Sequence, residues 1–261
     1  MRGWRLCRLH LATKQGSTVR PLVVFLLLNE NGAMLDEVLH LFYPRVCAGC
    51  NALLDEGERE ICHECIVSFD RFSDADAADR AVKQVFRRTF AADDGLQKAW
   101  TLYRFHKNDR LQKVIHAMKY EGVYRLGSVL GELLAEMIGD SVIAARSDCI
   151  VPVPLHQLKV IERTYNQSEL IARSLGVALG KDVRVDLVAR KKYTRSQAGL
   201  SPRERLRNVE NAFTSSGNAV PGNILLVDDV LTTGSTVAAV MRSLKSAGAS
   251  NVSLATIALA V

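Results

Sequence analysis

Apolar residues follow two rhythms along this chain. Residues 224–227 (I-L-L-V) and 149–153 (C-I-V-P-V) are short runs rich in branched side chains, the pattern of strands buried on both faces of a parallel sheet. Residues 99–105 (A-W-T-L-Y-R-F) alternate and are aromatic, which also predicts a strand. Helical spacing covers 110–120 and 126–138, separated at Gly122, and recurs over 168–179 and 237–247, where Gly248 is the expected C-terminal stop. Strands alternating with helices predict an α/β domain with a mainly parallel sheet flanked by helices. The 224–227 strand is expected to end at Val227, before Asp228 and Asp229.

The N-terminal third is different. Residues 34–43 have helical spacing and predict a short amphipathic helix ended by Pro44. Residues 70–92 are charged and alanine-rich, reading as a linker or an exposed helix with a solvated face. Residues 1–33 carry an apolar run after a basic start, in the outline of a signal peptide. The run lacks a small-residue cleavage site and is too short to span a bilayer. We read 1–33 as an extension upstream of a start at Met34, or as a disordered segment. The division expected is an extension (1–33), a cysteine module (34–70), a linker or helical segment (71–98) and the α/β domain (99–261).

Four of the six cysteines form two C-x-x-C pairs, Cys47/Cys50 and Cys62/Cys65, eleven residues apart. Each pair places two thiolates on one knuckle, and two knuckles complete a tetrahedral S₄ site. A zinc ribbon is therefore expected, with room for a hairpin around 55–57. All four positions are cysteine, so the Zn²⁺ is structural, and His63 reads as a surface residue. A redox role would require a thioredoxin-like βαβ context, which the module lacks. Cys149 lies in an apolar run and reads as a small buried hydrophobe. This cysteine usage fits a reducing compartment, and a cytoplasmic location is expected.

The net charge of +6 is uneven. Residues 1–33 hold five basic residues against Glu30, which leaves +2 for the rest. Composition alone therefore gives no argument for a nucleic-acid-binding body. One stretch stands apart: 190–207 has seven basic residues against Glu204, around a loop expected at 194–201. It reads as a cationic flap able to close over an anion, or as a solvated loop and helix.

The candidate chemistry lies at 228–236, D-D-V-L-T-T-G-S-T. A strand, a turn and a helix start leave backbone N–H groups free to bind an anion, aided by the helix dipole. Gly234 permits close approach, and Thr232, Thr233, Ser235 and Thr236 add donors. Carboxylates repel phosphate, but they accept from sugar hydroxyls and hold Mg²⁺ through its waters. A sugar phosphate with a vicinal diol fits both halves. Neither G-x-x-x-x-G-K-[ST] nor G-x-G-x-x-G occurs.

V-D-D-V-L-T-T-G-S-T resembles the 5-phosphoribosyl-1-pyrophosphate (PRPP) signature of type I phosphoribosyltransferases. The resemblance implies that Asp228 and Asp229 hold the ribose hydroxyls and that Thr232 to Thr236 cradle the 5-phosphate. In such a sheet the loop after an early strand faces the pyrophosphate, where Arg163 is the natural donor. The resemblance extends further. Two C-x-x-C pairs, then V-P-V-P-L-H, Y-N-Q-S-E-L, Q-x-x-L-x-x-x-x-R-x-x-N-x-x-x-A-F and the PRPP signature are similar, in that order, to the ComF/GntX family. The family pattern marks Asn166, Gln167, Gln197, Arg205 and Asn208 as site positions, with Arg205 beside Arg163 in a catalytic role. Thr164-Tyr165 stands where many members have Gly-Phe.

This implies a type I phosphoribosyltransferase-like domain binding Mg-PRPP, with an unidentified acceptor. The alternative is a non-catalytic adaptor or sensor in DNA uptake, whose zinc module docks on single-stranded DNA or on a DNA-processing protein. No membrane span is expected. Lys119, in M-K-Y-E-G-V-Y-R, is a further candidate for an anion contact. The residues selecting the acceptor are expected within 97–125.

Overall fold

The computed structural model describes residues 44–90, 95–191 and 212–261. By its internal packing the chain separates into two compact units, Met1–Val46 and Cys47–Val261. The first falls almost wholly outside the described residues, and with it the helix expected over 34–43. The second is the subject below.

Its first part is the cysteine knuckle, with a turn at Glu56 and Gly57 and a short helix, α1 (His63–Ser68). The elements that follow are α2 (Ala75–Phe90), β1 (Leu96–Phe105), α3 (Arg110–Tyr120), α4 (Leu126–Ile138), α5 (Val142–Ala145), β2 (Cys149–Pro152), α6 (Gln157–Arg163) and α7 (Gln167–Leu179). Then come β3 (Val188–Arg190), β4 (Phe213–Ser215), β5 (Asn223–Leu231), α8 (Ser235–Ser246) and β6 (Asn251–Ala260). Four strands form a wholly parallel sheet in the order β1-β6-β5-β2, and β3 pairs with β4 as an antiparallel ribbon.

The sheet is covered on both faces, which explains its unbroken apolar runs. One core joins Leu225, Val227, Ile257 and Leu102 to α3, α4 and α7, and it also contains Cys47, Cys62 and Cys65 of the knuckle. The other joins Ile224, Leu226 and Leu254 to α2 and α8. Helices α4 and α7 pack unusually closely. A Cβ at Gly127 would lie 2.5 Å from that of Leu170, and one at Gly131 2.6 Å from that of Ser174.

Two expectations need correction. The alanine-rich stretch forms a helix whose charged residues Asp76, Arg80, Arg87 and Arg88 are exposed as expected, but its other face is docked on the sheet rather than solvated. Within α2, Ala78, Val82 and Phe86 are buried at helical spacing against the sheet. A stripe only three residues long is easily lost among charges. The strand expected to stop at Val227 also continues, as β5, to Leu231. It continues because β6 keeps pairing with it, Asp228 opposite Thr256 and Leu231 opposite Leu259. On the other side β2 stops at Pro152, opposite Val227, after which Val153 N donates to Val227 O at 2.8 Å. The two aspartates thus lie on a strand that has lost one neighbour, at the C-terminal end of the sheet, where ligands of open α/β sheets bind.

Candidate functional site

The aspartates spend part of their capacity on their own strand. Asp228 Oδ1 accepts from Asp229 N at 2.9 Å and from Ser168 Oγ at 2.9 Å, and Asp229 Oδ1 accepts from Val230 N at 2.6 Å. Asp229 Oδ2 pairs with Lys119 Nζ at 2.8 Å. Burial, and after it the charge of Asp229, pushes the pKa of Asp228 up to about 7, although the Ser168 hydroxyl, the Asp229 N–H and Lys119 pull it down. With one oxygen of each carboxylate committed to backbone, the pair presents two separate acceptors, an arrangement suited to a diol.

The loop follows directly. Gly234 is the N-cap of α8 in a left-handed conformation, φ 75°, and among the described residues no side chain caps the helix. The first-turn N–H groups of α8 are therefore available to an anion. Thr233 and Ser235 share a hydroxyl contact at 3.0 Å, Ser235 is buried, and Thr232 is exposed. Phe86 of α2 lies under Gly234, so that a Cβ there would come within 3.1 Å of its ring.

Opposite stands a wall from α3, α6 and the start of α7. Asn166 caps α7 by accepting from Ser168 N, and its Nδ2 donates to Val153 O at 3.0 Å, fastening the loop to the end of β2. Tyr165 Oη donates to Met118 O at 2.6 Å. Thr164 occupies the left-handed region, φ 69°, where glycine is at ease and threonine is strained. Arg163 Nη1 donates to Gln167 Oε1 and its Nη2 to Tyr120 Oη, both at 3.0 Å, while its guanidinium stacks 4.9 Å from the Tyr120 ring centroid. Arg163 Nε and Gln167 Nε2 are buried with no partner among the described residues, two donors short of an acceptor.

Positive charge collects around this wall. Burial, then Arg163, holds Lys159 below the ordinary lysine range, with Arg190 and Lys119 adding to the effect. Arg190 is likewise lowered by burial, with the Asp228 carboxylate opposing. Sequence reasoning did not single out Lys159 or Ser168. Ser168 sits inside Y-N-Q-S-E-L, where it reads as an ordinary first-turn helix residue, and Lys159 has no motif around it. Of the stretch expected to select the acceptor, Gln97 lies at the far end of β1, its Oε1 3.4 Å from Ser253 Oγ, whereas Lys119 and Tyr120 reach the site. Gln197, Arg205 and Asn208, with the loop expected at 194–201, lie outside the described residues.

The four cysteines form a second centre. Their sulfurs all lie within 4.8 Å of one another, with Cys50 and Cys62 3.7 Å apart. A tetrahedral ion with bonds of about 2.3 Å sets its sulfurs about 3.8 Å apart, so the cluster is compatible with zinc. Gly49 N and Cys62 N each donate to Cys47 Sγ at 3.3 Å. Burial opposes ionisation of Cys47, yet the N–H groups of Cys62, Cys50 and Gly49 outweigh it and lower the thiol to about 7. His63 is exposed and stands outside the cluster.

A family model described as a phosphoribosyl transferase domain matches residues 166–260, which span the aspartates, the loop and α8. With the parallel sheet and the site at its C-terminal end, this defines a phosphoribosyltransferase-type α/β domain. The chain is 33% identical over 152 residues to competence protein F of Haemophilus influenzae, covering 55% of this chain and 65% of that protein. It is 36% identical over 149 residues to the DNA utilization protein YhgH of Escherichia coli, covering 54% of this chain and 64% of that one. The chain thus spans just under two thirds of the length of these relatives. A partial superposition, TM-score 0.31 at 24% identity, relates 52% of the chain to 60% of orotate phosphoribosyltransferase from Aeropyrum pernix. The chain is thus similar to competence protein F and to the DNA utilization protein YhgH over its phosphoribosyltransferase-type domain.

Proposed function

We propose that the chain binds Mg-PRPP and acts as a phosphoribosyltransferase. The observation that carries this is the acid pair on β5, beyond the end of β2 and directly before the uncapped first turn of α8. The first-turn N–H groups and the hydroxyls of Thr232, Thr233, Ser235 and Thr236 hold the 5-phosphate. Asp228 and Asp229 accept from the ribose hydroxyls, which requires Lys119 to yield Asp229 Oδ2. Lys119, Lys159, Arg163 and Arg190 face the pyrophosphate and stabilise its charge as it leaves C1, while a nitrogen nucleophile attacks. A Mg²⁺ held through its waters by Asp228 and Asp229 would add further neutralisation of the phosphates. Asn166 and Gln167 position Arg163 and the loop. Arg205, with Gln197 and Asn208, belongs to the same reading through the family pattern and lies outside the described residues.

The four cysteines hold one structural Zn²⁺ within a module at 34–70 that precedes the domain at 99–261. The same reading puts the chain in a reducing, cytoplasmic setting, because the two C-x-x-C pairs serve as metal ligands. No helix among the described residues is long and apolar enough to cross a membrane.

Calorimetry with Mg-PRPP tests the reading. Wild type is expected to bind, and Asp228→Asn with Asp229→Asn to abolish binding while the fold persists. Equal affinity in the two proteins would overturn it.

The relatives' names, competence protein F and DNA utilization protein, favour a second reading, a non-catalytic adaptor or sensor whose zinc module docks on DNA or on a DNA-processing partner. Release of pyrophosphate with a nucleobase or amine supports the first reading. Salt-sensitive binding of single-stranded DNA without turnover supports the second.

A further inference from the structure

Helix α3 touches both centres. At its first residue, Arg110 Nη1 lies 3.9 Å from Cys65 Sγ. At its last turn, Lys119 pairs with Asp229, Tyr120 Oη accepts from Arg163, and Met118 O accepts from Tyr165 Oη. Between these ends Leu111, Val114, Ile115 and Met118 are buried in the core that contains Cys47, Cys62 and Cys65. The packing at the knuckle is tight: a Cβ on Gly49 would meet Cys65 Sγ at 2.9 Å and Val114 Cγ2 at 3.5 Å. Eleven residues of helix make a strut about 16 Å long.

Charge gives the strut a reason to respond to metal. Four thiolates around Zn²⁺ carry a formal charge of about −2, costly where Cys47 and Cys65 are fully buried and Cys62 nearly so. The N–H groups of Gly49 and Cys62 serve Cys47, while Arg110 supplies a cation to Cys65. The positive N-terminal end of α3 lies on the same side. A loaded cluster therefore pulls on the first turn of α3 through the contact of Arg110 with Cys65.

We propose that α3 couples the cysteine cluster to the acid pair: metal on the thiolates holds Arg110, and through the helix sets Lys119 against Asp229. Arg110 and Lys119 are positioning residues of one device. Because linkage is reciprocal, loosening either end weakens the hold at the other. The inference rests on the zinc reading and is independent of PRPP.

The test is the rate at which a colorimetric chelator extracts zinc from the full chain, measured for wild type, Arg110→Met, Lys119→Met, the double variant and Lys98→Met. Lys98→Met breaks an ion pair with Asp76 between β1 and α2, away from α3. We expect extraction about three-fold faster or more in Arg110→Met and in Lys119→Met. The double variant should exceed either by less than the product, and Lys98→Met should match wild type. A Lys119→Met rate equal to wild type, or a Lys98→Met rate raised as much as that of Lys119→Met, overturns the coupling and leaves the zinc site standing. Purified protein without metal overturns both.

Discussion

Ser168 donates its hydroxyl to Asp228 at 2.9 Å, joining the first turn of α7 to a strand sixty positions further along. The bond fixes the carboxylate that the rest of the strand leaves beside an open edge. Ser168→Ala is expected to cost about 1 kcal/mol of stability, the ordinary net value of such a bond. It should also raise the Asp228 pKa further, so that binding of Mg-PRPP shifts to higher pH. Thermal melts and calorimetry across pH 6 to 9 check both effects.

The acid pair predicts the pH dependence of the unliganded protein. Asp228 in the folded chain titrates near 7, whereas an unfolded aspartate titrates near about 4. Between these values the folded state holds more protons than the unfolded one, so stability falls as pH rises through that window and levels off above it. Asp228→Asn should remove this contribution, so that denaturant midpoints of variant and wild type diverge progressively between pH 4 and 7. On the proposed reading Mg-PRPP binds the ionised pair, and its affinity is expected to rise over the upper part of the same range.

Gly234 combines a left-handed backbone, φ 75°, with the Phe86 ring beneath it. Gly234→Ala is expected to cost about 1–2 kcal/mol from backbone strain. It should also weaken phosphate binding by displacing the first turn of α8. Urea midpoints and titration with ribose 5-phosphate read the two effects. Adding Phe86→Leu should give a double variant less destabilised than the sum of the single changes, since the smaller side chain makes room for the methyl.

Cys65 is fully buried in the core that includes α3. Cys65→Ser should reduce bound zinc from about one per chain to none. Its melting should broaden and begin at lower temperature, as the knuckle and α3 lose their shared packing. Metal analysis and calorimetric melting on the same preparation decide it.

Much of the architecture was legible because its signals are local. Helices α3 and α4 match the expected spans at both ends, since their apolar periodicity is uninterrupted and Gly122 separates them. The acid pair and hydroxyl loop were legible because a strand, a turn and a helix start follow one another within fourteen residues. What escaped depends on partners distant in sequence. Whether β5 ends at Val227 or at Leu231 is decided by β6, more than twenty residues away. The engagement of Arg163 with Tyr120 joins residues 43 apart, and no local pattern encodes it. Lys159 gains its altered environment only from burial and from cations on other elements.

The carboxylates of Asp228 and Asp229 also protect the strand that bears them. Beyond Pro152 the margin of β5 has no β2 beside it, and an unpaired strand margin invites another chain to join the sheet. Asp229 N and Val230 N instead turn to the side chains just before them, which also carry negative charge. Alanine at both positions would bare that margin and favour self-association, whereas asparagine keeps an amide oxygen for each N–H. The choice of replacement therefore decides whether an experiment reports lost chemistry or lost solubility.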